Sequence, residues 1–341
     1  MEKIKMAIVG AGTWGENHAQ LYNSHEHAQT VAICDMNKGR AEALAQRNGI
    51  KEVYDDYKEM LKKCDCDAVA IVTPDFLHAD IAIECANQKR NILIEKPLAT
   101  TRKDVFDMVE AIERNNVRAM VDLHNRWNPP FANAKDAVES GELGKPYSAY
   151  YRMNDSKWVA TDMLSWSAKS SILWFLGSHS LDTLRWIFND EVERVFSVSR
   201  EGILKDLGVD TVDMYQTTIE FKHGGIAQME NGWITPNANT CVNDIKFNIL
   251  GTKGMISIDA SNHNLIQKFT DDKVETPDVL VKNYIQGKPK GFAFESIYHF
   301  IDCLVENREF YVSIKDAANT SLALLAVMES AKTRMPVTVK Y

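Results

Sequence analysis

Two clusters of residues in this chain have the types and spacing to do chemistry. Gly10-Ala11-Gly12-Thr13-Trp14-Gly15 is a GxGxxG that closes an apolar run, Ile4–Val9, and opens a helix-like stretch. A second apolar run, Thr30–Asp35, ends in an acid twenty residues beyond Gly15. In that setting Gly10 permits a tight turn, Gly12 lets the backbone approach a pyrophosphate, and Gly15 lets the helix pack closely on the strand. The helix start, Thr13 and Trp14, presents free N–H groups and a positive partial charge to the pyrophosphate. Asp35 can hydrogen-bond the adenosine ribose hydroxyls and repels a 2′-phosphate, which points to NAD. Lys38 and Arg40, just downstream, keep NADP possible. The second cluster is Glu95-Lys96-Pro97, which follows the apolar run Asn91–Ile94. In open α/β sheets ligands bind beyond the carboxyl ends of the strands. A lysine there can donate to a substrate hydroxyl and stabilise the alkoxide that develops as hydride leaves.

The elements that must carry these residues are legible as a pattern. Over residues 1–122, short continuous apolar runs (Ile4–Val9, Thr30–Asp35, Ala68–Thr73, Asn91–Ile94, Arg118–Val121) alternate with helix-like stretches (Glu16–Tyr22, Lys38–Arg47, Ala79–Gln88, Lys103–Asn115). Continuous apolar strands alternating with helices predict a Rossmann-type, doubly wound parallel sheet covered on both faces. From residue 123 to 341 the pattern changes. A helix over Phe131–Ser140, a strand over Tyr147–Met153 and an apolar helix over Trp174–Phe188 precede six strand-like runs between Val192 and Phe269. Short turns such as His223-Gly224-Gly225 predict antiparallel pairing. Helices near Ala293–Glu306 and Lys315–Thr333 and a strand over Val337–Lys340 close an α+β domain with a large, mainly antiparallel open sheet.

Composition narrows the function classes. The chain has 341 residues, 45% of them hydrophobic, and a formal net charge of −8, as expected of a globular protein of about two domains. The acidic balance argues against a nucleic-acid partner. No apolar run reaches the roughly 18 residues a membrane span needs. The N-terminus carries no signal-peptide pattern and the six cysteines are dispersed, so a cytoplasmic protein with reduced thiols is expected. The histidines show no metal-ligand spacing, and no metal is expected.

Taken in order, Gly10–Gly15, Thr73-Pro74 with His78, Glu95-Lys96-Pro97 and Gly177-Ser178-His179-Ser180-Leu181-Asp182 resemble the glucose–fructose oxidoreductase / inositol dehydrogenase / MocA family along the whole chain. The resemblance implies an oxidoreductase that moves hydride between a nicotinamide and a ring hydroxyl of a sugar, glycoside or cyclitol. It implies that Thr73, Pro74, His78, Glu95 and Asn125 line the cofactor with the glycine turn, Asp35 and Arg40. It assigns catalysis to Lys96 and His179, and places Arg126 near the nicotinamide end. It also implies a homodimer or homotetramer joined through the open sheet. Read from its neighbours alone, Trp174, Phe175, Leu176, Leu181 and Leu184, His179 equally suits a core histidine. The chain departs from the family at one point. Many members carry an aspartate four residues before the histidine, and here that position is Phe175, on the same helical face at i, i+4 spacing. Asp155 is the candidate to replace the missing carboxylate, and Asp182 is expected to orient His179 or to pair with Arg185. The departure also keeps open an alternative, a non-catalytic NAD-binding sensor of the same fold.

The substrate is expected to meet aromatic side chains, because ring faces stack on the C–H faces of sugars. Trp127, Trp158 and Phe175 are candidates beside Arg126, Asp155, Lys96 and His179, and Asn154–Ser171 reads as a recognition loop.

Overall fold

The computed structural model describes residues 2–261 and 265–341. In chain order the first elements are β1 (Ile4–Val9), α1 (Thr13–Ser24), β2 (Ala28–Cys34), α2 (Lys38–Asn48), β3 (Glu52–Tyr54), α3 (Tyr57–Lys63), β4 (Ala68–Ile71), α4 (His78–Asn87), β5 (Asn91–Ile94), α5 (Arg102–Asn115) and β6 (Ala119–Val121). They are followed by α6 (Pro129–Glu139), β7 (Pro146–Ser156), α7 (Ser178–Phe188), β8 (Val192–Arg200), α8 (Ile203–Asp206), β9 (Met214–Phe221), β10 (Ile226–Thr235), β11 (Asn243–Gly251) and β12 (Met255–Asp259). Two small hairpins, β13 (Lys268–Phe269) with β14 (Val274–Glu275) and β15 (Asn283–Ile285) with β16 (Lys288–Lys290), precede α9 (Phe292–Glu306), α10 (Ile314–Thr333) and β17 (Val337–Thr338).

These elements form two compact units: the chain up to His124 together with Lys282–Ser321, and Asn125–Val281 together with Leu322–Tyr341. The change of pattern near Asp122 falls within two residues of the first break. The division into 1–122 and 123–341 does not contain the return of Lys282–Ser321 to the first unit. The return has a physical cause in α9, whose Phe292, Ala293, Phe294, Ile297, Phe300 and Ile301 are buried. Ser296 on the same helix donates from Oγ to Asp122 Oδ1 at 2.5 Å. An apolar helix with a buried polar anchor belongs to the unit that supplies the anchor's partner.

The sheet of the first unit has the order β3-β2-β1-β4-β5-β6. Every neighbouring pair is parallel. The strand order reverses between β1 and β4, where the carboxyl ends of such sheets open a ligand crevice. The edge strand β3 and helix α3 were not anticipated. Glu52-Val53-Tyr54 is short and only partly buried, so it lacks the apolar run that marks the other strands.

The second unit holds a seven-stranded sheet, β12-β11-β7-β10-β9-β8-β17. It is mainly antiparallel, as expected, but β7 and β10 pair parallel. The reason is the connection: β7 leaves the sheet through α7 instead of a hairpin, and a crossover of that kind brings a strand back in parallel sense. On the covered face the rings of Phe131, Tyr151 and Phe247 meet with centroids 5.3–5.5 Å apart. Tyr150, Phe196, Val198, Ile226 and Leu250, on four strands of this sheet, remain exposed. The apolar helix expected over 174–188 is broken at its start, because Leu173–Gly177 forms a π-helical turn before α7 begins. The strand run expected over Leu265–Phe269 contributes only the short β13, and its pairing with β14 lies outside the main sheet.

Candidate active site

In the first unit the glycine turn is built as its spacing demands. Gly10 has φ +113°, and a Cβ on it would lie 2.3 Å from Val72 O. A Cβ on Gly15 would lie 2.0 Å from Gly10 O, so these two positions exclude any side chain. At Gly12 a Cβ would meet nothing within 4 Å. That open space over exposed backbone, at the N-terminus of α1, is a cradle of the kind a pyrophosphate fills. Asp35, at the end of β2, accepts the Ala11 N–H on Oδ2 and the Asn37 N–H on Oδ1, both at 2.8 Å. It therefore braces the turn. Arg40 lies 3.9 Å from the same carboxylate, so its charge is directed at Asp35. Thr73 Oγ1 is buried without a protein hydrogen-bond partner, a further observation that suits a ligand here. Pro74 opens the 3-10 turn that leads into α4. Trp14 is half-buried, its ring 6.0 Å from that of His124, with the Lys282 ammonium 5.9 Å away. The residues present fit a dinucleotide.

Glu95-Lys96-Pro97 follows β5 and is held on both flanks by histidines. His18, on α1, places Nε2 3.2 Å from Glu95 Oε1 and Nδ1 2.9 Å from Tyr22 Oη. His78, which the resemblance placed on the cofactor, is fully buried and places Nδ1 2.8 Å from Pro97 O and Nε2 3.1 Å from Thr73 O. A neutral ring donates to one of those carbonyls at a time. Burial, with Asp122 and Glu95 adding to it, pushes the Tyr22 phenol well above its ordinary range. Burial alone would raise the Asp122 carboxyl, but His124 at 3.5 Å, the hydrogen bond from Ser296 and the nearness of His18 hold it below the usual carboxylate range. His18, Glu95 and Asp122 each bring a ligand-type atom within 4.8 Å of the others. Spacing along the chain could not reveal this group, because the fold collects it from α1 and from the carboxyl ends of β5 and β6. His18 was missed for the same reason, although its place one helical turn beyond Gly15 was a usable signal.

In the second unit several expected ligand contacts prove to have structural partners. Asn125 donates both amide hydrogens, to Tyr151 Oη at 3.0 Å and Thr183 Oγ1 at 2.8 Å. Arg126 makes a two-pronged ion pair with Asp182, Nε–Oδ2 2.9 Å and Nη2–Oδ1 2.6 Å, with both side chains buried. The expected pairing of Asp182 with Arg185 is present at 4.0 Å, but the close partner of Asp182 is Arg126, and Arg185 reaches to Glu191 at 2.6 Å. Asp155 is buried and accepts from Asn243 Nδ2. The stretch Asn154–Ser171 is more ordered than a loop, since β7 runs to Ser156 and Val159–Met163 is a π-helical turn. Trp158 is anchored through its backbone N–H to Asn237 Oδ1 at 2.9 Å, and Trp127 is half-buried. His179 is buried near the start of α7. Phe175 packs its ring 6.4 Å from both Trp166 and Trp233. Trp233 is fully buried, while Phe175 and Trp166 keep partial exposure. The Trp166 and Phe175 planes stand 69° apart, edge to face, so each ring offers only its own face for stacking on a ring's C–H face.

Comparison with known proteins agrees with this geometry. Residues 4–123 match the model of an oxidoreductase family with an NAD-binding Rossmann fold, and residues 131–257 match the GFO/IDH/MocA C-terminal domain. The chain is 28% identical over 342 residues to the scyllo-inositol 2-dehydrogenase (NAD(+)) of Bacillus subtilis, covering 98% of this chain and 96% of that one. It is 28% identical over 310 residues to the levoglucosan dehydrogenase of Pseudarthrobacter phenanthrenivorans, covering 81% and 78%. Among solved structures, scyllo-inositol dehydrogenase from Lactobacillus casei with bound NAD(H) and scyllo-inositol shares the fold, with TM-score 0.84, 19% identity and 99% of each chain covered.

Proposed function

The chain belongs to the Gfo/Idh/MocA family of NAD-binding oxidoreductases, and from that premise we propose that it oxidises a ring hydroxyl of a cyclitol, sugar or glycoside. The observation that carries this reading is Lys96, on a loop at the carboxyl end of β5 braced by buried side chains, in the unit that holds the dinucleotide cradle. The nicotinamide supplies the hydride acceptor. Lys96 donates a hydrogen bond to the reacting oxygen and stabilises the alkoxide as it forms. His179 takes the hydroxyl proton. The roles assigned to Arg126 and Asp182 are those of a buried frame. Phe175 stands where many members place a carboxylate, and its ring, with that of Trp166, supplies apolar stacking surface. Inositol and levoglucosan dehydrogenases among the relatives support a polyhydroxylated ring as substrate. Asp35 favours NAD over NADP.

The exposed apolar side chains of the seven-stranded sheet support a homodimer or homotetramer joined through that face. Among the described residues no helix is long and apolar enough to cross a membrane. All six cysteines are free thiols, which supports a cytoplasmic place of work.

The test is direct. The purified protein is scanned for bound reduced nicotinamide, then offered NAD with a panel of inositols, monosaccharides and glycosides while absorbance of the reduced cofactor is followed. Turnover on at least one member is expected. Tight NAD binding with no reduction on any of them, alone or with a second carbonyl substrate, would overturn the reading in favour of a sensor.

A further inference from the structure

We propose that His18 is a positioning residue for Lys96 and acts through the Glu95 carboxylate. The inference rests on the reading of Lys96 given above and deepens it. His18 stands on α1, the helix whose N-terminus forms the dinucleotide cradle, and it is buried together with Glu95. Its hydrogen bonds have one consistent direction. A carboxylate only accepts, so the Glu95 side sets the tautomer, and in the neutral ring Nδ1 is left to accept from the fully buried Tyr22 Oη at 2.9 Å. Nε2 carries the ring proton in that tautomer and donates to Glu95 Oε1 across 3.2 Å. Glu95 is joined by one peptide bond to Lys96. Fixing its carboxylate to α1 fixes the direction in which the chain leaves β5, and His78 fixes the other flank at Pro97 O. The result is a bracket from the cofactor helix to the residue that must meet the reacting oxygen. Partners of this kind hold a catalytic group in its productive orientation, and a misplacement of about 1 Å costs on the order of 10²-fold in rate.

The same atoms invite a second interpretation, since His18, Glu95 and Asp122 stand close enough to ligate a metal ion. The hydrogen bonds favour the bracket. Asp122 is already engaged by Ser296 Oγ at 2.5 Å and lies 3.5 Å from His124 Nδ1, and the His18–Glu95 separation is that of an N–H donor and its acceptor.

The experiment compares His18→Leu, His18→Gln and Glu95→Gln with the parent and with Lys96→Ala, on the substrate found in the panel. His18→Leu is expected to lower kcat by roughly 10–100-fold, with KM and the dissociation constant for NAD each within about threefold of the parent (under ~0.7 kcal/mol). His18→Gln, whose amide N–H reaches the same carboxylate, should recover most of the loss. Combining His18→Leu with Glu95→Gln should cost no more than either alone, the mark of one shared path. Equal loss in His18→Leu and His18→Gln, or a loss that follows melting temperature alone, would overturn the proposal. So would zinc or another divalent ion found at one equivalent by elemental analysis. If Lys96→Ala is inactive while His18→Leu keeps parental kcat, only this inference fails. If Lys96→Ala turns over normally, the reading of Lys96 itself fails.

Discussion

The two units differ in what the polar side chains nearest their candidate residues hold. Around the glycine turn and Lys96, side chains reach to backbone or to the neighbouring loop: Asp35 to Ala11 and Asn37, His78 to Pro97 and Thr73, His18 to Glu95. In the second unit polar side chains are tied to one another, Arg126 to Asp182 and Asn125 to Tyr151 and Thr183, and the Phe175 ring packs against Trp166. The first arrangement shapes a loop for a ligand whose form never varies. The second builds a rigid frame and leaves discrimination to the few groups not absorbed by it. The dinucleotide cradle is therefore legible in detail, while the frame proposed for the substrate says little about which ring it would hold.

The largest expected effect tests the first half of that contrast. Lys96→Ala should lower kcat by about 10²–10⁴-fold, the range for removing a charged or proton-transferring group that acts in the transition state. Isothermal titration with NAD should find the affinity nearly unchanged, because the cradle is made by backbone at Gly10–Gly15. If NAD binding falls in parallel with turnover, Lys96 belongs to the cradle and the contrast between shaped loop and reactive side chain is lost.

The second prediction tests the frame. Asp182→Ala leaves the Arg126 guanidinium buried without its two-pronged partner, a change that costs about 3–5 kcal/mol. Chemical denaturation should register that loss. The double variant Arg126→Met/Asp182→Leu should recover much of it, since a well-packed apolar pair can replace a buried ion pair. A double variant that is stable yet inactive would show that Arg126 also touches substrate, and would return it from frame to site.

What the sequence revealed, and what it hid, follows the same divide. Gly10, Gly12, Gly15 and Asp35 work within one β-α-β stretch, so their spacing carries their geometry. Arg126 and Asp182 are 56 residues apart, and the local spacing from Asp182 to Arg185 revealed only the longer of the two ion pairs of Asp182. The parallel pairing of β7 with β10 was hidden because short turns between strands describe hairpins only. The π-helical turn at Leu173–Gly177 was hidden because its apolar residues continue the periodicity of α7. That turn also revises the relation between Phe175 and His179, since i, i+4 spacing no longer runs along a single α-helix.

A third, smaller effect concerns Asp35, which serves both functions within the first unit. Asp35→Ala removes a charged acceptor from Ala11 N–H and from any ribose hydroxyl. NAD affinity should fall about tenfold, the scale of one charge-assisted hydrogen bond. Because the carboxylate also braces the turn, NADP affinity should not rise in compensation. A variant that binds NADP tightly and keeps its NAD affinity would mean that Asp35 acts only by repulsion and that the turn holds without it.

The smallest effect is a pH dependence confined to the first unit. Burial lowers the pKa of His299, with the positive charge of Arg308 adding to it, and its Nε2 accepts the Tyr311 N–H at 3.0 Å. A protonated ring could not accept that bond. The folded chain therefore holds His299 neutral at a pH where the unfolded chain has begun to take up a proton. Stability is unaffected well above the ordinary histidine value of about 6.5 and falls as pH drops from there toward the depressed folded value. The Asp122 carboxyl, also depressed, withdraws its own contribution only below the ordinary carboxylate range. Urea midpoints measured between pH 8 and 5 should thus decline more in the parent than in His299→Gln, whose amide oxygen can accept the Tyr311 N–H at every pH. Equal slopes in the two proteins would mean that the acid sensitivity arises outside the pocket formed by α9 and the Arg308–Tyr311 segment, and that this end of the first unit is held by its apolar contacts alone.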